Sequence, residues 1–132
     1  MKNVFKIIIG LAMLVVCGCK LSQAPAAEYT VRDLGNLSKG DPIGSITVAA
    51  FLAYEEENHN LFASEAAYNN WATGPDCFAI RSTVAQSRQL EQLHGSWVIV
   101  TGQILKDVCG PNTFCPDSCT RSALKIESVS AQ

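Results

Sequence analysis

Two histidines, no Cys-x-x-Cys motif, no Gly-x-Ser-x-Gly turn and no apolar run near twenty residues: these shortages narrow what the 132-residue chain can be. A zinc cage asks for closely spaced ligand pairs, whereas Cys109, Cys115 and Cys119 have five and three residues between them and His94 as the nearest imidazole, so no metal site is expected. A hydrolase needs a base beside its nucleophile. The two imidazoles fall in an acidic tip (His59) and at a helix end (His94), and no serine sits in a nucleophile elbow, so the chain is expected to be no enzyme and to carry no cofactor. Cations are also short, ten Lys and Arg against twelve Asp and Glu. Such a chain lacks the positive field that draws in phosphate backbones, and nucleic acid is excluded as a partner on charge.

What is present begins with a leader, "MKNVFKIIIGLAMLVVCGCK". Lys2 and Lys6 supply a positive start, and the apolar run from Ile7 to Val16 is half the roughly 20 residues a membrane-crossing helix needs. This is a signal peptide rather than an anchor. Its end, Val16-Cys17-Gly18-Cys19, resembles a bacterial lipobox, with small Gly18 before Cys19 and branched Val16 at the outer position. Residues 1–18 are therefore predicted to be a lipoprotein signal, Cys19 to be lipidated with palmitate-type chains, residues 19–27 to form a tether and residues 28–132 the domain. Lys20, in place of an aspartate, directs such a protein to the outer membrane, facing the periplasm. Cleavage after Ala26 or Ala27 is the alternative, and it gives a soluble periplasmic protein.

Either cut discards Cys17 and leaves Cys77, Cys109, Cys115 and Cys119 as an even set in an oxidising compartment, where two disulfides are expected. About 105 to 114 residues remain, enough for one small domain whose modest core crosslinks would help. Loss of Lys2 and Lys6 takes two positive charges from a formal −2 and leaves −4.

Period-2 alternation marks the strands. Ile46, Val48, Ala50 and Leu52 alternate in "GSITVAAFLAY", and Val98, Val100, Gly102 and Ile104 alternate in "GSWVIVTGQIL". Between them, "EEENHN" (55–60) reads as a solvated hairpin tip before a short strand over 61–63, and "CFAIRST" (77–83) reads as a third strand. Thr30 ahead of "VRDL", with Asp33 three residues on, resembles a capping box that opens one or two helical turns. Ser64 caps a further turn over 64–70, "ATGPD" (72–76) is a turn, and Val84 to Leu93 is a helix presenting Leu90 and Leu93 to one side and stopped at Gly95. His94 is read as a residue favoured by the helix dipole, and Trp97 as core or barrel-end packing. "ALKIESV" (123–129) closes the chain as a fifth strand.

The order strand, strand, strand, helix, strand, strand, carried by "GSITVAAFLAYEEENHNLFAS", "DCFAI" and "LEQLHGSWVIVTGQIL", resembles the oligonucleotide/oligosaccharide-binding (OB) fold, and the chain resembles small OB-like bacterial lipoproteins. The resemblance implies a mainly β, disulfide-bonded, five-stranded Greek-key barrel with one helix between strands three and four. Closing its last two strands with Leu105 near Leu124 implies a Cys109–Cys119 bridge and leaves Cys115 for Cys77. It also implies a non-enzymatic binding or scaffolding module on the envelope, tied to the membrane through its N-terminal lipid, with an envelope protein or a glycan such as a peptidoglycan fragment as partner. The implied contact residues are Tyr54, Tyr68, Trp71 and Phe114, beside the 55–60 loop.

Overall fold

Alternating apolar side chains build the longest strand and, through it, the sheet. The computed structural model describes residues 26–112, 115 and 118–132. The chain is mainly β: strands β1 (Tyr29–Thr30), β2 (Ser45–Glu55), β3 (Asn58–Phe62), β4 (Cys77–Arg81), β5 (Trp97–Leu105) and β6 (Ala123–Ala131) form one mixed sheet. Helices α1 (Val31–Leu37), α2 (Glu65–Asn69) and α3 (Val84–Leu93) interrupt it, and a 3-10 turn spans Gly74–Asp76. The predicted signal peptide, the predicted lipidation at Cys19 and most of the expected tether lie outside the described residues.

β2 pairs antiparallel with β3 through Phe51–Glu55 and with β5 through Ser45–Phe51. β3 continues to β4, β4 runs parallel to β6, and β6 returns antiparallel to β5. The pairings therefore run in a ring of five strands. Six strands are present where five were expected, because β1 adds a two-residue parallel pairing to the edge of β2 at Val48 and Ala49 that β3 leaves free. So short a strand carries no alternation to read.

The inward residues of the ring (Ile46, Val48, Leu52, Leu61, Phe78, Ile80, Val98, Val100, Leu124) join Val31 and Leu34 of α1 and Leu90 of α3 in one core. Full burial of each such side chain is worth roughly 1.5–3 kcal/mol. Gly102 is required by this geometry: a Cβ there would lie 2.2 Å from the Lys125 carbonyl oxygen, at the register shift between Thr101 and Gly102. α1 begins where Asp33 accepts from the Thr30 N–H (2.7 Å) and the Thr30 hydroxyl (2.8 Å). Those bonds, the backbone one foremost, hold the Asp33 carboxyl below the usual carboxylate range. Inside the same helix, Gly35 stands where Ala would be about 1 kcal/mol more favourable, although an added Cβ meets nothing within 4 Å.

Several boundaries differ from the sequence reading. The hairpin tip shrinks to Glu56 and Glu57, because Asn58 and Asn60 enter β3 and are buried. β4 ends at Arg81. α3 matches its predicted span. His94 is the C-cap of that helix, and its Nδ1 accepts the Tyr54 backbone N–H at 3.0 Å, so it ties the helix end to β2. Trp97 is 41% exposed on the outer side of the sheet, edge-on to Phe51, in place of the expected core or barrel-end packing.

The expected cysteine pairing is replaced. Cys77 bonds Cys119, and Cys109 bonds Cys115, with Cα atoms 6.1 and 5.8 Å apart. Two features redirect the bridges once the β5–β6 ladder ends at Leu105 and Ala123. Left-handed backbone at Asp107, Gly110 and Asn112 (φ 48°, 72° and 56°) then folds the segment back on itself, which presents Cys109 to Cys115. Meanwhile Ala79 pairs with Ala123, so the residues just before β6 run beside the start of β4, where Cys77 waits.

Candidate functional site

A second apolar layer lies on the outer side of β2, β3 and β4. Phe51, Ala53, Phe62 and Cys77 point away from the main core yet are buried, because Ala67 and Tyr68 of α2 and Cys119 pack over them. Ser64 starts α2 by accepting the Ala67 N–H at 3.0 Å. The residues before β6 are stitched down with polar bonds. Asn60 Oδ1 accepts the Cys119 N–H (3.0 Å), Thr120 Oγ1 accepts the Ala79 N–H (2.9 Å), and Arg81 donates to the Ser118 hydroxyl (3.0 Å). Asn60 also donates to Asn58 Oδ1 at 2.7 Å, which gives two buried amides partners.

The aromatic contact candidates separate under this geometry. Tyr54 is buried, its ring stacked on His59 with centroids 4.2 Å apart and its hydroxyl 3.0 Å from both Ser82 and Ser87. It links β2 to the start of α3 and is only 8% exposed. Tyr68 is half-buried against Phe51 and Phe62, with centroids at 5.6 and 5.5 Å, and donates to Glu55 Oε1 at 2.9 Å. The hydrogen bond to that carboxylate raises the phenol pKa, as do its desolvation and the nearby charge. Phe114 lies outside the described residues.

Trp71 alone among the described candidates faces water. It is 75% exposed, follows the α2 C-cap Asn70, and its backbone N–H donates to the Tyr68 carbonyl at 3.1 Å. Its φ of 51° lies in the left-handed region. For a bulky residue that region costs roughly 1–2 kcal/mol, and the position after Asn69 and Asn70 would suit a third asparagine or a glycine. Among the described residues no ring packs on the indole. An exposed indole held in a costly backbone conformation offers a flat apolar face and one N–H donor, suited to stacking on a sugar ring or covering an apolar side chain.

The two histidines take structural partners: His94 the Tyr54 backbone, with its Nε2 3.8 Å from Glu55 Oε2, and His59 the Tyr54 ring. Glu55, read as part of a solvated tip, is thereby drawn into contacts with Tyr68 and His94. Among the described residues no three of His, Cys, Asp and Glu converge on a point that could hold a metal ion, and no helix is long and apolar enough to cross a membrane.

The outer layer was the part of this surface that sequence reading missed. Its signal was in plain view: 49–54, "AAFLAY", is apolar without interruption, and a strand apolar on both faces is covered on both. No protein-family model matches the chain, and neither a curated protein nor a solved structure is found similar to it.

Proposed function

We propose that this chain is a non-enzymatic binding or scaffolding module of the bacterial envelope, an OB-like barrel held by lipid at Cys19, with Trp71 as its contact residue. The barrel reading is supported by the order of pairings around the ring (β2, β3, β4, β6, β5 and back to β2), by the parallel β4–β6 pair, and by α3 falling between the third and fourth ring strands. The envelope reading is supported by the leader and by two disulfides, which persist in oxidising compartments. The observation that carries the contact role is Trp71, exposed and left-handed at once.

A glycan is the ligand class this residue favours, because stacking on an indole needs no charge and the chain is acidic overall. The experiment uses the full chain with Trp97→Phe, so that Trp71 is the sole indole, titrated with soluble peptidoglycan fragments. Saturable quenching that survives raised salt supports glycan contact. Unchanged emission, together with no crosslinked product from a photoreactive residue placed at position 71 in whole cells, defeats the contact role.

A further inference from the structure

A second surface, on the other side of the Cys77–Cys119 bridge, carries its own chemistry. An open groove of about 430 Å³ runs between α1, the 3-10 turn at Gly74–Asp76 and the residues before β6. Arg32, Lys39 and Arg121 line it with the hydroxyls of Ser38 and Ser122, and no Asp or Glu lines it. The chain has ten Lys and Arg, of which Lys2, Lys6 and Lys20 precede the domain, so three of the remaining seven cations gather here in a chain that is otherwise acidic.

The groove is built rather than left over. One wall is fixed by the Cys77–Cys119 bond, by Thr120 accepting the Ala79 N–H and by the Val108 N–H donating to the Arg121 carbonyl. Asp76 holds the Arg32 Nε at 2.5 Å, which sets that guanidinium in place while its other nitrogens remain to donate. Arg121 is held by Asp107, which accepts from its Nε at 3.1 Å and from its Nη2 at 2.8 Å, and by the Gly110 carbonyl. The ammonium of Lys39 has no ion pair among the described residues.

The end of α1 that borders the groove does not oppose an anion. Its last carbonyls are taken up internally: Leu34 by the Ser38 N–H, Gly35 by the Ser38 hydroxyl, Asn36 by the Lys39 N–H and Leu37 by the Gly40 N–H. Gly35 supplies an independent sign. It lines the groove, its backbone is not left-handed, and a Cβ would touch nothing within 4 Å, so neither a turn nor close packing demands a glycine in mid-helix. Its missing side chain keeps the space open.

We infer that this groove is a binding site for a phosphate-bearing ligand. The unpaired ammonium of Lys39, the Arg32 nitrogens left over by Asp76 and the Ser122 hydroxyl present more donors than the two oxygens of a carboxylate use, and they suit the three acceptor oxygens of a phosphate monoester. The site stands apart from Trp71 and does not depend on that residue's role. A soluble phosphoester and a lipid headgroup share the chemistry, and the test separates them.

The isotopically labelled full chain in zwitterionic detergent is titrated with inorganic phosphate and with glycerol 3-phosphate, against chloride at matched ionic strength. It is also floated with vesicles of phosphatidic acid in phosphatidylcholine, against phosphatidylcholine alone. Saturable amide shifts at Arg32, Gly35, Lys39 and Ser122 with either soluble probe assign the site to free phosphoesters; flotation only with phosphatidic acid assigns it to headgroups. Either supports the site if Lys39→Ala weakens binding at least fivefold and Gly35→Leu, which fills the groove with a good helix former, abolishes it without lowering the melting temperature. Shifts equal to those with chloride and no selective flotation, or binding indifferent to both substitutions, overturn the proposal.

Discussion

The two disulfides tie down neighbouring stretches of one connection, yet they do different work. Cys77–Cys119 joins residues 42 apart, and its Cys77 is 1% exposed beneath Cys119 in the outer layer. Cys109–Cys115 joins residues 6 apart within a segment already turned by three left-handed residues. Loop-closure entropy assigns about 4 kcal/mol to the first and about 2 kcal/mol to the second. The long crosslink fixes where the connection lies on the sheet, and the short one fixes only how the connection folds on itself.

The comparison breaks most visibly if the long bond is removed. Replacing Cys77 and Cys119 together with alanine is expected to lower the unfolding free energy in urea by about 4 kcal/mol, and to speed hydrogen exchange at Ala79, whose N–H rests on Thr120. Asn60→Ala sharpens the point. Asn60 holds the Cys119 N–H, so with that acceptor gone the same double replacement costs less than in the native chain, and a double-mutant cycle reads the difference.

Replacing Cys109 and Cys115 together is expected to cost about 2 kcal/mol by the same measurement, with exchange at Ala79 unchanged. An equal or larger loss than for the long bond would reverse the ranking. Next comes the opposite flank of the outer layer, where no covalent bond helps. Ser64→Ala deletes the cap of α2 and is expected to cost about 1 kcal/mol, with near-ultraviolet dichroism reporting looser packing of Tyr68 on Phe51 and Phe62.

Acid gives the smallest effect. The Asp33 carboxyl is held lower in the folded chain than in the unfolded one, so its contribution is complete above the unfolded value, near pH 4, and is lost as pH falls through the folded value. Amide exchange in α1 should rise across that window while residues beside Cys77 and Cys119 stay protected. Protection lost equally in both places would mean that the crosslinked wall does not stand independently of the helix cap.

Local chemistry was legible in the sequence wherever one short stretch held all the information. Val84 to Leu93 is a helix with its predicted ends, and Ser64 is a cap. Trp71, one of the four implied contact residues, is exposed. Contacts that depend on distant registers were not legible. Tyr54 reads as a surface aromatic at a hairpin until Ser82 and Ser87 arrive from 28 and 33 residues away to take its hydroxyl. The cysteine pairing failed because the chain leaves the β5–β6 ladder beyond Leu105 and Ala123, turns back through left-handed Asp107, Gly110 and Asn112, and brings Cys119 beside β4.

Composition and period alone determined that the chain is mainly β, that one helix stands between its third and fourth long strands, and that its four later cysteines form an even set able to pair. These depend on properties carried by each residue or its near neighbours. Which cysteine meets which, which aromatics are covered and where cations gather into a groove were decided only by tertiary structure. Each depends on strands and loops brought together from far along the chain, at distances that a shift of one residue would undo.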